Sequence, residues 1–78
     1  HMSSAYWLPF VFFPEIIKEP GTYLTRCGER VTIEKVSTRH DYGCRGQYST
    51  GETEGWHKSG RIFPARETKN DIVALAPN

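Results

Sequence analysis

The chain contains no long hydrophobic run, and this absence excludes a membrane-spanning helix. None of its 78 residues belongs to a stretch that approaches the roughly 20 consecutive apolar residues required by a bilayer. The most apolar run, residues 7–13, is interrupted by Pro9 and followed by Pro14, and it lacks the basic start and small-residue cleavage site of a secretory signal. The sequence therefore predicts a soluble, cytoplasmic protein that makes no membrane contact.

Two further shortages narrow the classes of function. The excess of positive charge is small, because 10 Lys and Arg residues against 9 Asp and Glu residues give a net charge of +1. Such a balance does not provide the sequence-independent attraction to phosphates that strongly basic proteins have. The chain also has only two cysteines, Cys27 and Cys44, whereas secreted scaffolds of this length usually depend on several disulfides. We therefore expect both thiols to be reduced.

No local pattern marks a catalytic or a metal site. Neither cysteine belongs to a Cys-x-x-Cys pair of the kind found in structural zinc sites, and no nucleophile signature surrounds Cys44. No glycine-rich phosphate loop precedes a helix. We predict a non-enzymatic protein without metal or cofactor, in which Cys44 is a small buried thiol. The alternatives are nucleophilic catalysis by Cys44 and a zinc site drawn from Cys27, His40, Asp41, Cys44 and His57.

Short runs of β-forming residues, separated by turn signals, occupy most of the chain. Residues 21–26 and 30–37 predict a hairpin around Gly28, in which Val31 and Ile33 alternate with polar neighbours. Val36 breaks the phase, which indicates either a bulge or a strand that leaves one sheet for another. Further strands are predicted at residues 42–48, 54–58, 61–63 and 71–75, with Asp71 capping the turn before the last strand. Five or six short antiparallel strands predict an all-β protein, a small SH3-like barrel or β-roll, because closure removes exposed sheet edges.

The sequence divides into three parts. Residues 1–2 are typical of an expression scar, residues 3–20 form an N-terminal arm rich in aromatic residues and proline, and residues 21–76 form a single β-domain. The prolines exclude a long helix from the arm, although Pro14 could begin one helical turn over residues 14–18. The aromatic side chains of the arm either close one end of the domain or form an apolar surface for a homodimer.

Residues 55–61 hold the densest concentration of candidate binding side chains. Aromatic rings beside cations can stack on single-stranded bases whose phosphates the cations hold, or they can form a groove for a proline-containing peptide. The face that we predict consists of Tyr42, Arg45, Tyr48, Trp56, His57, Lys58 and Arg61. Strand alternation puts Trp56 and Lys58 on one side and His57 on the other, so that Trp56 and His57 cannot both point inward. Trp56 is then either a core residue or the centre of the face.

Four short motifs, each with a fixed spacing, carry a resemblance that covers residues 6–75. Their members are Gly21, Tyr23, Thr25, Arg26, Gly28, Val31, Ile33, Trp56, Gly60, Arg61, Asn70, Asp71, Ile72 and Val73. This pattern resembles that of short, mostly uncharacterised proteins encoded on bacterial plasmids, prophages and other mobile elements. The resemblance implies a bacterial β-domain whose partner is a host or element-encoded protein, and it supplies no catalytic residues.

Near-neutral charge and abundant aromatic residues favour protein binding over nucleic-acid binding. We expect a binding module that acts through protein–protein interaction at the aromatic and basic face. Binding of single-stranded or duplex nucleic acid by the same face is the alternative.

Overall fold

The structure is a computed structural model, and it describes residues 14–77. Its five strands are β1 (Gly21–Thr25), β2 (Arg30–Val36), β3 (Cys44–Tyr48), β4 (Thr53–Trp56) and β5 (Ile72–Leu75). They form one antiparallel sheet in the order β4-β3-β2-β1-β5. The predicted all-β character is confirmed, whereas residues 3–13 of the predicted arm lie outside the described residues. Within residues 14–77, no helix has the length and apolar character needed to cross a membrane.

β1 and β2 form the hairpin that the alternation of Val31 and Ile33 predicts. Tyr23 pairs with Val31, and both side chains lie on the buried face of the sheet. The turn between the strands requires glycine at position 28, because its φ of 90° falls in the left-handed region that side chains with a Cβ rarely adopt. The Gly28 N–H donates to the carbonyl oxygen of Thr25 at 2.9 Å. The predicted hairpin and its glycine turn are both confirmed.

β2 and β3 approach each other unusually closely at a bulge. The pairing register shifts between Ile33 and Lys35, which confirms the bulge that the phase change near Val36 predicts. Gly46 pairs with Ile33 there, and a Cβ at position 46 would collide with the backbone of Thr32 and Ile33. Glycine therefore permits a contact between the two backbones that every other residue would prevent.

Two predicted elements do not form in the described part of the chain. Residues 61–63 are not a strand, because the backbone N–H of Ile62 is directed to the Asp71 carboxylate, with a nitrogen–oxygen distance of 3.3 Å, instead of to a neighbouring strand. Residues 14–18 are not helical. The N–H groups of Ile16 and Ile17 both donate to the carbonyl oxygen of Lys58, at 2.8 and 2.9 Å, so this segment is anchored to the turn after β4 without forming a helix.

The core lies on one face of the sheet and is centred on Trp56. Its buried members are Ile17, Tyr23, Val31, Ile33, Cys44, Trp56 and Ile72. The indole is fully buried, packs edge-on against Tyr48 with ring centroids 5.6 Å apart, and donates its Nε1–H to the carbonyl oxygen of Asn70 at 3.0 Å. A buried indole with a satisfied N–H combines a large hydrophobic contribution with a fixed orientation. The core interpretation of Trp56 is confirmed.

The sheet has two edge strands, β4 and β5, which do not pair with each other in the described residues. A contact lies at the start of β5, where the N–H of Ile72 donates to the carbonyl oxygen of Gly60 at 2.9 Å. The segment that follows β4 thus contacts the start of β5, although the strands themselves stay apart. Closure into an SH3-like barrel remains a prediction.

Candidate functional site

The turn that follows β4 joins three parts of the protein. The carbonyl oxygen of Lys58 accepts hydrogen bonds from the N–H groups of residues 16–17. The N–H of Lys58 donates to the carbonyl oxygen of Asp41 at 2.9 Å. Gly60, with a φ of 91°, lies so close to Ile72 that a Cβ there would collide with the carbonyl group of Ile72. The segment that the sequence marks as a binding cluster is therefore first of all a structural joint.

His57 is buried at the start of this turn, with 8% of its surface exposed. Its Nδ1 accepts the backbone N–H of Ser59 at 3.0 Å and lies 2.9 Å from the Ser59 hydroxyl oxygen. An Nδ1 that accepts this N–H carries no proton, so the imidazole is neutral and protonated at Nε2. The ring of Tyr42 packs edge-on against it at a centroid distance of 5.3 Å. Burial lowers the pKa of His57 and outweighs the opposing charge of Asp41.

Trp56 and His57 are both buried, at 0% and 8% exposure, which the alternation argument excluded. β4 ends at Trp56, and the chain turns at His57, so the two-residue period of a strand does not extend to His57. The prediction that only one of the two side chains could point inward was wrong.

We expect the free energy of unfolding to fall when the pH is lowered from about 7.5 to about 5.5, partly because of His57. The lowered pKa of folded His57 means that the unfolded chain binds more protons in this range. The contribution of neutral His57 to stability is complete above the pKa that this histidine has in the unfolded chain. It is lost as the pH falls towards the lower pKa that His57 has in the folded protein. Urea unfolding at both pH values measures the effect.

The matched variants for this measurement are His57→Asn and His40→Asn. His57→Asn keeps an oxygen that can accept the Ser59 N–H, as in an Asx-turn, and it does not titrate, so its stability should vary less with pH. His40→Asn makes the same substitution at an exposed residue and serves as the control for it. Equal slopes for wild type and His57→Asn would contradict the assignment.

Arg45 and Tyr48, two predicted binding residues on β3, lie in different environments. Arg45 is exposed and faces away from the core, since its strand neighbours Cys44 and Gly46 are buried. Tyr48 is half-buried, and its hydroxyl group donates to the Glu54 carboxylate at 3.1 Å. Burial, reinforced by the charge of Glu54, raises the pKa of Tyr48. The two side chains do not share a surface.

Tyr42, Lys58 and Arg61 surround the turn after β4 and stay partly accessible. Tyr42 is 43% exposed, and its hydroxyl group donates to the carbonyl oxygen of Ile62. The Nζ of Lys58 lies 4.0 Å from the Asp41 carboxylate, and Arg61 is half-buried. With Trp56 in the core and Arg45 on the opposite side of the sheet, the seven predicted residues do not form one continuous face. A binding role for the accessible ones stays a prediction.

Both cysteines are free, with Cys27 exposed and Cys44 buried. Burial raises the pKa of the Cys44 thiol, which disfavours the nucleophilic thiolate form. The hydroxyl group of Thr25, 3.3 Å from the Cys27 sulfur, lowers the pKa of that thiol. Among residues 14–77, no three His, Cys, Asp or Glu side chains are close enough together to hold a metal ion.

Asp71 fixes the loop between β4 and β5, and it is 1% exposed. Its Oδ1 accepts the Thr68 hydroxyl group at 2.8 Å and the Ile62 N–H at 3.3 Å. Its Oδ2 accepts the Thr68 N–H at 3.0 Å and the Arg26 guanidinium at 3.3 Å. Burial alone would raise the pKa of Asp71, but these hydrogen bonds, led by those from Thr68, hold it below its usual value. The predicted cap before the last strand is confirmed.

β5 presents an apolar edge that the sequence analysis did not identify as a site. Val73 and Leu75 are 40% and 65% exposed, Ala74 is exposed as well, and the strand has no charged residue. The N–H of Ala76 donates to β1 at 3.0 Å, and bonding alternates along an antiparallel strand. The N–H and C=O of Leu75 therefore face away from β1, where no other described strand lies.

The two edges of the sheet differ in their protection. β4 contains Glu54 and is preceded by Glu52, and charged side chains discourage pairing with another strand. β5 contains no charged residue, and the carboxylate that precedes it, Asp71, is buried. An uninterrupted apolar run such as that of β5 is typical of a buried strand in a sequence. Only the strand order shows that β5 lies at an edge of the sheet.

A cleft of about 210 Å³ lies beside the start of β5. It is lined by four apolar residues, four charged residues and two small ones: Pro14, Ile16, Ile72 and Val73, then Arg26, Arg61, Glu67 and Asp71, then Ser59 and Gly60. The Arg26 guanidinium lies 3.3 Å from Asp71 and 3.7 Å from Glu67. Because Val73 belongs to both features, the cleft and the exposed edge of β5 are continuous.

Comparison with known proteins adds no relative. No family model, no curated protein and no solved structure matches the chain.

Proposed function

We propose that this protein is a non-catalytic binding module that takes up an extended segment of another protein along the edge of β5. The observation that carries this proposal is the uncharged, exposed edge formed by Val73, Ala74 and Leu75. Proteins usually protect such an edge with charge, proline or a covering element. A partner segment added as a strand would form hydrogen bonds with the backbone groups of β5 that face outward. Pockets beside the edge would then select the side chains of that segment.

The length of the edge that stays unpaired within residues 14–77 favours a segment over a second folded copy. Gly60 already accepts the N–H of Ile72, and Pro77 has no N–H to donate, so pairing is limited to residues 73–76. Two such short strands, related by a two-fold axis, would cover only a small part of the roughly 1,200 Å² that stable interfaces bury. The homodimer predicted through the aromatic arm depends on residues outside the described part of the chain and stays a separate prediction.

The barrel fold, the bacterial origin and the class of partner are proposed from other observations. Five antiparallel strands in one sheet, with the segment after β4 bonded to the start of β5 through Gly60 and Ile72, support a small SH3-like barrel or β-roll. The aromatic arm before it is proposed from the sequence alone. The sequence pattern supports a bacterial mobile element, where a cytoplasmic partner would be a host or element-encoded protein.

Nucleic-acid binding is the second candidate, and a smaller patch supports it. Tyr42 and Phe63 are 43% and 42% exposed, and the Arg66 guanidinium lies 4.5 Å from the centroid of the Phe63 ring. Exposed rings beside a cation can stack on bases. The net charge of +1 and the burial of Trp56 make this candidate the weaker one.

A peptide-display selection with randomised extended segments tests the proposal, followed by affinity measurement for the selected peptide. Leu75→Pro removes the outward N–H without removing a hydrogen bond to β1, whereas Leu75→Ala keeps that N–H. We expect Leu75→Pro to weaken binding by about tenfold, as the loss of one backbone hydrogen bond implies, and Leu75→Ala to weaken it less. Thermal melting verifies that both variants fold.

Three results would overturn the proposal. One is the absence of any selected peptide, and another is wild-type affinity in Leu75→Pro. The third is tight binding of a single-stranded oligonucleotide that weakens steeply with salt, with a slope near −0.7 per phosphate contact. That third result would establish the second candidate instead.

A further inference from the structure

We infer that the partner segment carries one large apolar side chain and that this side chain enters the cleft beside β5. The inference rests on the proposed function, because the cleft matters to a partner only if the partner lies along this edge. Ile72 and Val73 line the cleft and also belong to β5. A strand that pairs with residues 73–76 therefore reaches the cleft at the end where Gly60 blocks further pairing.

The size of the cleft fits a side chain better than a free ligand. Its volume is about 210 Å³, whereas sites for cofactors and drug-sized molecules usually measure roughly 300–1,000 Å³. A single large side chain, delivered by a backbone that is held at the sheet edge, needs no larger space. The cleft thus supplements the strand pairing and is not an independent small-molecule site.

The chemistry of the walls selects an apolar group. Pro14, Ile16, Ile72 and Val73 provide hydrophobic surface, which favours a side chain that gives up no hydrogen bonds on leaving water. Among the charged lining residues, Arg26 is engaged by Asp71 at 3.3 Å and by Glu67 at 3.7 Å. A partner carboxylate or ammonium group would have to compete with these ion pairs while losing its own hydration.

Strand geometry limits the need for an apolar side chain to one position of the partner segment. Successive side chains of a strand point to opposite faces, so neighbouring residues of the segment are directed away from the cleft. Gly60 ends the pairing at Ile72, which leaves a single residue of the segment above the cleft. We therefore expect one selective position among tolerant ones.

Positional scanning of the peptide selected on β5 tests this inference. At one position, Leu, Ile, Met or Phe should bind at least about tenfold more tightly than Asp or Lys, a ratio typical for a hydrophobic pocket that buries one side chain. Val73→Ala and Ile16→Ala enlarge the cleft and should shift the preference at that position towards the largest side chains. Thr53→Ala, on the opposite edge strand, should leave the profile unchanged.

The outcomes separate the inference from the function on which it rests. A peptide that binds along β5 with an equal response at every position overturns the inference and leaves the proposed function standing, as does a preference for a charged residue at the selective position. An unchanged preference in both enlarged variants overturns it as well. Failure of every peptide to bind removes the proposed function itself.

Discussion

Replacement of Asp71 by alanine is expected to lower the free energy of unfolding by about 3–4 kcal/mol, since it leaves buried donors without an acceptor. The carboxylate accepts four hydrogen bonds, from Thr68 twice, Ile62 and Arg26. These contacts hold the loop before β5 in place. Urea unfolding at pH 7, followed by circular dichroism, measures the loss.

Asp41→Asn provides the matched control, because Asp41 is an exposed carboxylate. Its side chain is 77% exposed and lies 4.0 Å from the Lys58 ammonium group. Exposed pairs contribute little, so this substitution should change stability by less than about 0.5 kcal/mol. Similar effects of Asp71→Ala and Asp41→Asn would contradict the role given to the buried carboxylate.

The contribution of Asp71 to the free energy of unfolding should decrease as the pH is lowered. Because the folded pKa of Asp71 is lowered, its ionised form stabilises the fold above the unfolded pKa of about 3.9. This stabilisation is lost as the pH falls through the folded pKa. The difference in unfolding free energy between wild type and Asp71→Asn should therefore narrow between about pH 7 and about pH 3, and a constant difference would contradict this reasoning.

Replacement of Trp56 by alanine is expected to cost about 3–5 kcal/mol, the range of large-to-small substitutions in protein cores. The indole is fully buried, packs against Tyr48 and donates to the carbonyl oxygen of Asn70. Alanine removes the packing and leaves that carbonyl group without its donor. Denaturant unfolding followed by far-ultraviolet circular dichroism tests the effect.

Two further variants separate core packing from surface aromatic contacts. Trp56→Phe keeps a ring but lacks the N–H, so it should cost less than alanine, with about 1 kcal/mol of the loss due to the hydrogen bond. Phe63→Ala removes an exposed ring that contacts Arg66, and it should cost about 1 kcal/mol or less. A Trp56→Ala protein as stable as wild type would mean that Trp56 is not a core residue.

The parts of the fold that depend on local sequence could be predicted. The β1–β2 hairpin follows from the alternation of Val31 and Ile33 with a glycine turn, and the Asp71 cap involves Thr68, only three positions earlier. The predicted strand at residues 61–63 was wrong because the N–H of Ile62 bonds to the distant Asp71 side chain. No local pattern shows that competition.

The candidate site was harder to predict for a different reason. Aromatic and cationic residues attract attention in a sequence, yet Trp56 is buried and Arg45 lies on the outer side of the sheet. The edge of β5 has the composition of a buried strand, and its exposure depends on which strands become its neighbours. Neighbours are a property of the topology, which periodicity does not encode.

The position of β5 beside β1 sets the order in which the fold can be completed. β1, β2, β3 and β4 are joined in series by short connections, so each can pair as soon as its predecessor is in place. β5, in contrast, pairs Leu75 with Tyr23, across nearly the whole described chain, and closing a loop of that length carries a larger entropic cost. Contacts so distant in sequence slow folding. We therefore expect the sheet to be completed last at β5, the strand that we propose as the binding edge, and the edge of β1 to stay unpaired until then.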